Sequence, residues 1–216
     1  YGLVLSNLLS LRGISPGELK AVAMCSGVPP LTPSFVELCQ TYFSLEPLVV
    51  GTGVKTGIRV LYDSPRDVGA DRIVDAVAAL RLYGGPAIIV DFGTGTVFDA
   101  VSADAEYVGG AIAPGITIAA DALFHSASQL RRVELVRPTT AIGKNTVHAL
   151  QSGLVLGYAD MVKGMVARFD RELGGGCKVI ATGGLAGLIA QVVDVFDAVN
   201  QDLTLAGLRV IYDLNS

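Results

Sequence analysis

The chain has 216 residues, 51% of them apolar and 17% charged, with 26 glycines. Such a composition excludes a disordered segment and suits one large domain or two small ones with a sizeable core. The net charge of −4, with no Lys/Arg run longer than Arg131–Arg132, leaves no basic surplus to hold a polyanion and points away from nucleic acid.

Apolar residues at helical spacing predict a helix over 3–12, stopped by Gly13. That helix has no entry cap and the sequence starts at Tyr1, so a preceding segment is expected. Residues 20–25 read as a short buried strand. Pro29, Pro30 and Pro33 break the chain before a helix over 34–42, and 47–50 forms another short strand. The Gly/Thr/Asp-rich stretch 51–65 reads as loop, with 58–61 extended. Asp67 is a candidate cap for a helix running to Tyr83, with Ile73, Val74, Val77 and Leu80 on its buried face and Asp75 on its solvated one. Gly84-Gly85-Pro86 ends that helix.

A continuous apolar strand follows over 87–90, then two more extended runs near 97–102 and 106–113, which together predict an antiparallel meander. A helix is expected over 116–128. The longest periodic segment is 145–173, whose Gly153, Gly157 and Gly164 predict close helix packing, because interior glycine otherwise costs about 1 kcal/mol each. Residues 178–181 read as a buried strand leading into a helix to Gln191, and a last helix covers 203–213.

Several segments carry chemistry. Asp91-Phe92-Gly93-Thr94-Gly95-Thr96 leaves a core strand with a carboxylate, then bare backbone, then hydroxyls. Backbone N–H groups and threonine hydroxyls in that order suit phosphate oxygens, and the carboxylate suits a cation; an ordinary hairpin turn fits the same residues. Thr182-Gly183-Gly184 repeats the pattern before a helix N-terminus, and a plain strand–helix turn would look alike. Gly69-Ala70-Asp71-Arg72 puts a carboxylate in a first helical turn, where the helix dipole favours the anion. A base beside a guanidinium is a pair that phosphoryl transfer uses, although a solvated Asp and Arg satisfy the pattern too.

Other patterns fail. Gly143-Lys144-Asn145-Thr146 lacks the first glycine of a P-loop and has Asn where Ser/Thr is required. Gly93-Thr94-Gly95 lacks the third glycine of a dinucleotide fingerprint and precedes a strand. Cys25, Cys39 and Cys177 form no C-x-x-C pair and read as core or half-buried thiols of a reducing compartment. His125 and His148 stand alone, which argues against zinc. No unbroken apolar stretch reaches the ~18 residues of a membrane span, and no export signal opens the sequence.

Taken in order, Gly53-Val54-Lys55-Thr56-Gly57-Ile58, Tyr62-Asp63-Ser64-Pro65, Val68 to Val74, Val90 to Thr96, Gly109 to Gly115, Arg132-Val133-Glu134-Leu135, Ile142 to Thr146, Ala181 to Leu185 and Leu203-Thr204-Leu205 with Gly207-Leu208 resemble the type III pantothenate kinases, also called the Bvg accessory factor family. The resemblance implies an α/β, ribonuclease H-like (actin-like ATPase) fold: two similar lobes of mixed sheets flanked by helices, the first lobe incomplete. The lobes are expected over 1–84 and 85–216, the second holding the C-terminal helix.

The same resemblance implies ATP-dependent phosphorylation of pantothenate to 4′-phosphopantothenate, the first step towards coenzyme A, with Mg²⁺ and a monovalent cation (K⁺ or NH₄⁺). It implies Asp71 as general base, Tyr62, Gly69, Ala70, Asp71 and Arg72 around the substrate, and Thr146 binding substrate from the facing side. Asp91 would hold the monovalent cation, and Thr94, Gly183 and Gly184 would meet the nucleotide. It further implies a homodimer in the bacterial cytoplasm, with no nucleic-acid or membrane partner.

The family's first phosphate motif, Asp-x-Gly-Asn-Thr, is absent and is expected upstream of Tyr1. Gly95 and Val97 stand where Ala and Thr are usual, and Met24 to Pro29 is a loosened form of a Val-Val-Pro turn. These changes leave an alternative, a catalytically weakened paralogue with a regulatory role. A kinase for another small alcohol is the third reading, and Tyr62 with Gly69–Arg72 argues against it.

Overall fold

At the centre of the computed structural model, which describes residues 1–126 and 132–216, lies the strand β4 (Ala87–Phe92). Ala87, Ile88, Ile89 and Val90 are fully buried, as an unbroken apolar run must be when both faces of its sheet are covered. β4 pairs antiparallel with β5 (Gly95–Val101), and β5 pairs antiparallel with β6 (Glu106–Pro114), giving the expected meander. On its other side β4 runs parallel to β7 (Lys178–Thr182), and β7 parallel to β8 (Ala198–Val199), a strand not foreseen in the sequence. β3 (Arg59–Val60) adds in parallel to β6, so the sheet order is β3-β6-β5-β4-β7-β8. A second, two-stranded parallel sheet pairs β1 (Ala23–Met24) with β2 (Leu48–Val49).

The helices are α1 (Gly2–Leu11), α2 (Thr32–Phe43), α3 (Ala70–Tyr83), α4 (Ile116–Ser126), α5 (Thr146–Gln151), α6 (Gly157–Glu172), α7 (Ala186–Ile189) and α8 (Leu203–Asn215). Strand alternation sorts them into two layers. Ile88, Val90, Phe92 and Phe98 pack with Val155, Ala159, Val162 and Ile189 on one face. Ala87, Ile89, Val101 and Tyr107 pack with Ala76 and Ala79 of α3 and Leu203 of α8 on the other. Val74 and Val77 of α3 meet Ile211 of α8 and Val50, which joins the small sheet's surroundings to the second layer. A mixed sheet between helical layers is the α/β architecture that the sequence implies.

Several local expectations are corrected. The strand expected over 20–25 is the two half-buried residues of β1, since little covers it. Asp67 does not cap α3: Pro65–Asp67 is a 3-10 turn and the N-cap is Gly69. The periodic segment 145–173 holds a π-helical turn, Ser152–Leu156, between α5 and α6. Its glycines are not in close packing, because a Cβ on Gly153, Gly157 or Gly164 would meet nothing within 4 Å. Asp75 is not solvated but only 4% exposed, because α8 lies over that side of α3. The helix expected to Gln191 shrinks to α7, and α8 runs two residues past 213. Of the helix expected over 116–128, residues 127 and 128 lie outside the described residues.

Candidate active site

The first turn of α3 carries Asp71. Gly69 precedes it as N-cap, and a Cβ there would strike the Asp71 carboxylate. Asp71 Oδ1 accepts a hydrogen bond from the Arg72 amide at 3.0 Å. Its other oxygen faces the loop after β1: a Cβ on Gly27 would lie 3.8 Å from Asp71 Oδ2. Gly27, Val54, Val60, Val68, Gly69 and Ala70 line a cleft of about 730 Å³ beside this carboxylate. Asp71 is solvent-exposed, yet its charge pushes up the Asp91 and Asp75 carboxyls and the Cys25 thiol.

The turn after β4 and the one after β7 touch. Gly183 adopts φ +87°, open to glycine at no steric cost, and a Cβ there would strike Asp91 and lie 2.7 and 2.8 Å from the Phe92 main chain. Gly93 lies in ordinary contact: its Cβ position is 3.4 Å from Asp91 Oδ2. Gly115 closes the other side, its amide donating to the Thr94 carbonyl at 3.1 Å. Thr94, Gly93 and Gly184 are exposed on this glycine floor, while Asp91 is half-buried. Burial, more than the neighbouring Asp71 and Asp99, pushes the Asp91 carboxyl up; a carboxylate in that setting gains from a bound cation. Among the described residues no group of three His, Cys, Asp or Glu side chains is arranged to hold a metal ion.

Arg72 points the other way, into the sheet. Its Nε and Nη2 donate to Asp99 Oδ1 at 2.9 and 2.7 Å, and the Tyr107 hydroxyl donates to the same oxygen at 2.7 Å. Tyr62 stacks obliquely on Tyr107, with ring centroids 6.3 Å apart, and its ring edge lies 3.7 Å from the Cβ position of Gly109.

The structure thus sets Gly69, Ala70 and Asp71 at one cleft, gathers Tyr62 and the Arg72 guanidinium at Tyr107 on the sheet side, and sets Asp91, Thr94, Gly183 and Gly184 around one pair of turns. Thr146, exposed at the start of α5 behind the Asn145 cap, is joined to neither group by a hydrogen bond or a lining residue of the cleft among the described residues. Two side chains escape the sequence reading, Asp99 and Tyr107, and a third, Asp75, is read there as solvated. The signal for Asp99 was present, a charged residue inside the apolar run of β5, where burial demands a partner. Cys25, Cys39 and Cys177 are free thiols, and burial raises Cys25 to about 11, which removes it as a nucleophile. No helix among the described residues is long and apolar enough to cross a membrane.

Comparison with known proteins gives concordant matches. A family model described as type III pantothenate kinase matches residues 1–168. A type III pantothenate kinase of Roseiflexus sp. (strain RS-1) is 54% identical over 215 residues, covering 100% of this chain and 84% of that protein. Type III pantothenate kinase 2 of Symbiobacterium thermophilum is 53% identical over 216 residues, covering 99% and 82%. In three dimensions the chain resembles a conserved Baf-family protein from Campylobacter jejuni with a TM-score of 0.64 at 19% identity, covering 92% of this chain and 84% of that one.

Proposed function

This chain belongs to the type III pantothenate kinase family, and from that premise we propose how its residues carry out the reaction. The enzyme is an ATP-dependent kinase that phosphorylates pantothenate in the first step of coenzyme A biosynthesis. Nothing favours the weakened regulatory paralogue, since relatives identical at more than half of their aligned positions carry the kinase name.

Asp71 is the general base. Its carboxylate takes the proton of the pantothenate primary alcohol as that oxygen bonds to the γ-phosphorus of ATP; the bond to the β,γ-bridging oxygen breaks and ADP leaves. One observation carries this reading: Asp71 stands beside the cleft lined by Gly27, Gly69 and Ala70, with its Oδ2 facing Gly27. Gly69 and Ala70 line the pantothenate side, and Tyr62 and Arg72 back it through their contacts with Tyr107 and Asp99. Thr94, Gly183 and Gly184 form the nucleotide side, where the bare glycine floor supports the fit of a phosphate chain.

Asp91 holds the monovalent cation, K⁺ or NH₄⁺, and the half-buried carboxylate, pushed up by burial, supports that fit. When bound, that cation and Mg²⁺ neutralise phosphate charge. We assign the two lobes to 1–84 and 85–216, the first lending β3 and α3 to the sheet of the second, and the molecule to a cytoplasmic homodimer. Thr146, set apart from Asp71, serves substrate from the facing side. The separation of base and phosphate turn suits phosphoryl transfer, which depends on positioning and charge neutralisation more than on covalent steps.

Turnover of the full-length protein measured across potassium concentration separates the two aspartates. Asp71→Asn is expected to lose more than about 10²-fold in kcat at every potassium level while staying folded, on the scale of a lost general base. Asp91→Ala is expected to lose the potassium response itself. Near-normal turnover in the first, or an unchanged response in the second, refutes the corresponding role.

A further inference from the structure

We propose that Asp99 and Tyr107 are positioning residues for the reaction: by holding the Arg72 guanidinium they fasten the first turn of α3 to the sheet and so fix where the neighbouring Asp71 carboxylate stands. The proposal rests on the reading of Asp71 as the base.

The geometry is specific. Arg72 reaches from α3 across to β5, and two of its nitrogens converge on one oxygen of Asp99. The Tyr107 hydroxyl of β6 completes the cluster on that same oxygen. The side chains are 13% exposed for Arg72 and 2% for Asp99, so the pair is largely removed from water. The Arg72 guanidinium also lies over the Tyr107 ring, 5.7 Å from its centroid. Space for the fork is built in. Gly110 stands opposite Asp99 in the β5–β6 register, and a Cβ there would lie 2.7 Å from Arg72 Nη2 and 3.0 Å from Asp99 Oδ1.

A buried ion pair of this kind does not by itself argue for stability, because desolvation offsets most of the attraction. What it supplies is a fixed orientation. α3 begins at Ala70, and Gly69 before it has no side chain with which to anchor the turn. Arg72 is the residue after Asp71, so its tether sets the position and rotation of the turn bearing the base. Misplacement of a reacting group by about 1 Å can cost up to 10²-fold in rate. Tyr62, stacked on Tyr107 and set against Gly109, links the same cluster to the substrate side.

The test is steady-state kinetics and a double-mutant cycle on the full-length enzyme. Asp99→Asn is expected to lower kcat about 10- to 100-fold with the KM for ATP within about twofold of wild type. Tyr107→Phe keeps the ring and removes one hydrogen bond, and is expected to lower kcat about 3- to 10-fold, the scale of one such bond. If Asp99→Asn fails to fold, Tyr107→Phe decides alone. Each is then combined with Asp71→Asn. Residues acting through Asp71 add no further loss once the base is gone, whereas a general structural role multiplies the losses. Wild-type kcat in the folded single variants, or multiplicative losses in the double variants, overturns the proposal. Near-normal turnover in Asp71→Asn alone overturns the base reading instead, so the two failures are told apart.

Discussion

Asp75 lies one helical turn beyond Asp71 on α3, and the two carboxylates live in opposite surroundings. Asp71 is exposed at the cleft; Asp75 is 4% exposed and accepts a hydrogen bond from Thr204 Oγ1 at 2.6 Å. Burial above all, with Asp91, Asp99 and Asp71 adding to it against the Thr204 bond, raises Asp75 from 3.8 to about 7. Between those values the folded protein binds a proton that the unfolded chain has released, so Asp75 costs stability as pH rises from about 4 to 7. Asp75→Asn keeps an acceptor for Thr204 and removes the charge. It is expected to stabilise the protein on the order of 2 kcal/mol at pH 8 and to change little at pH 4. Denaturant unfolding at the two pH values measures this, and an equal effect at both would exclude a titrating Asp75. Asp71 and Arg72 were legible in the sequence because Gly69-Ala70-Asp71-Arg72 is a contiguous pattern. The burial of Asp75 was not, because it depends on Thr204, 129 residues away.

Glycines show the same division among the elements. Interior glycine is costly in a helix, and the sequence gives no means of telling which glycine is needed for contact. Gly207 of α8 is needed: a Cβ there would strike the Val74 carbonyl oxygen and lie 2.7 Å from Val74 Cγ1. Gly164 of α6 is not, since a Cβ would meet nothing within 4 Å. Gly207→Ala is therefore expected to destabilise by about 1–3 kcal/mol through overpacking of α3 against α8, and Gly164→Ala to stabilise by about 0.5–1 kcal/mol. Thermal unfolding of the two variants should move in opposite directions, and a shared direction would contradict the packing described. The meander β4–β5–β6 was legible because its runs are apolar and separated by turn residues. β8 was not, because two residues beside a buried edge carry no periodicity of their own.

For the whole molecule, the proposed homodimer has apolar side chains available on the surface, among them Ile112 at 68% and Ile142 at 81% exposure. Sedimentation of the full-length protein is expected to give a two-chain mass, and a one-chain mass at micromolar concentration would remove the dimer. The sequence by itself determined the family, the α/β class and the order of the turns proposed to meet phosphate and substrate. Each of these is written in contiguous residues whose chemistry is local: a carboxylate, bare backbone and a hydroxyl after an apolar strand. Only the tertiary structure decided which charges share a site. The Arg72–Asp99–Tyr107 cluster, the buried Asp75 and the contact of Gly183 with the Asp91 turn join residues from different elements. Electrostatic strength depends on distance and burial, and both are settled by how the helices lie on the sheet.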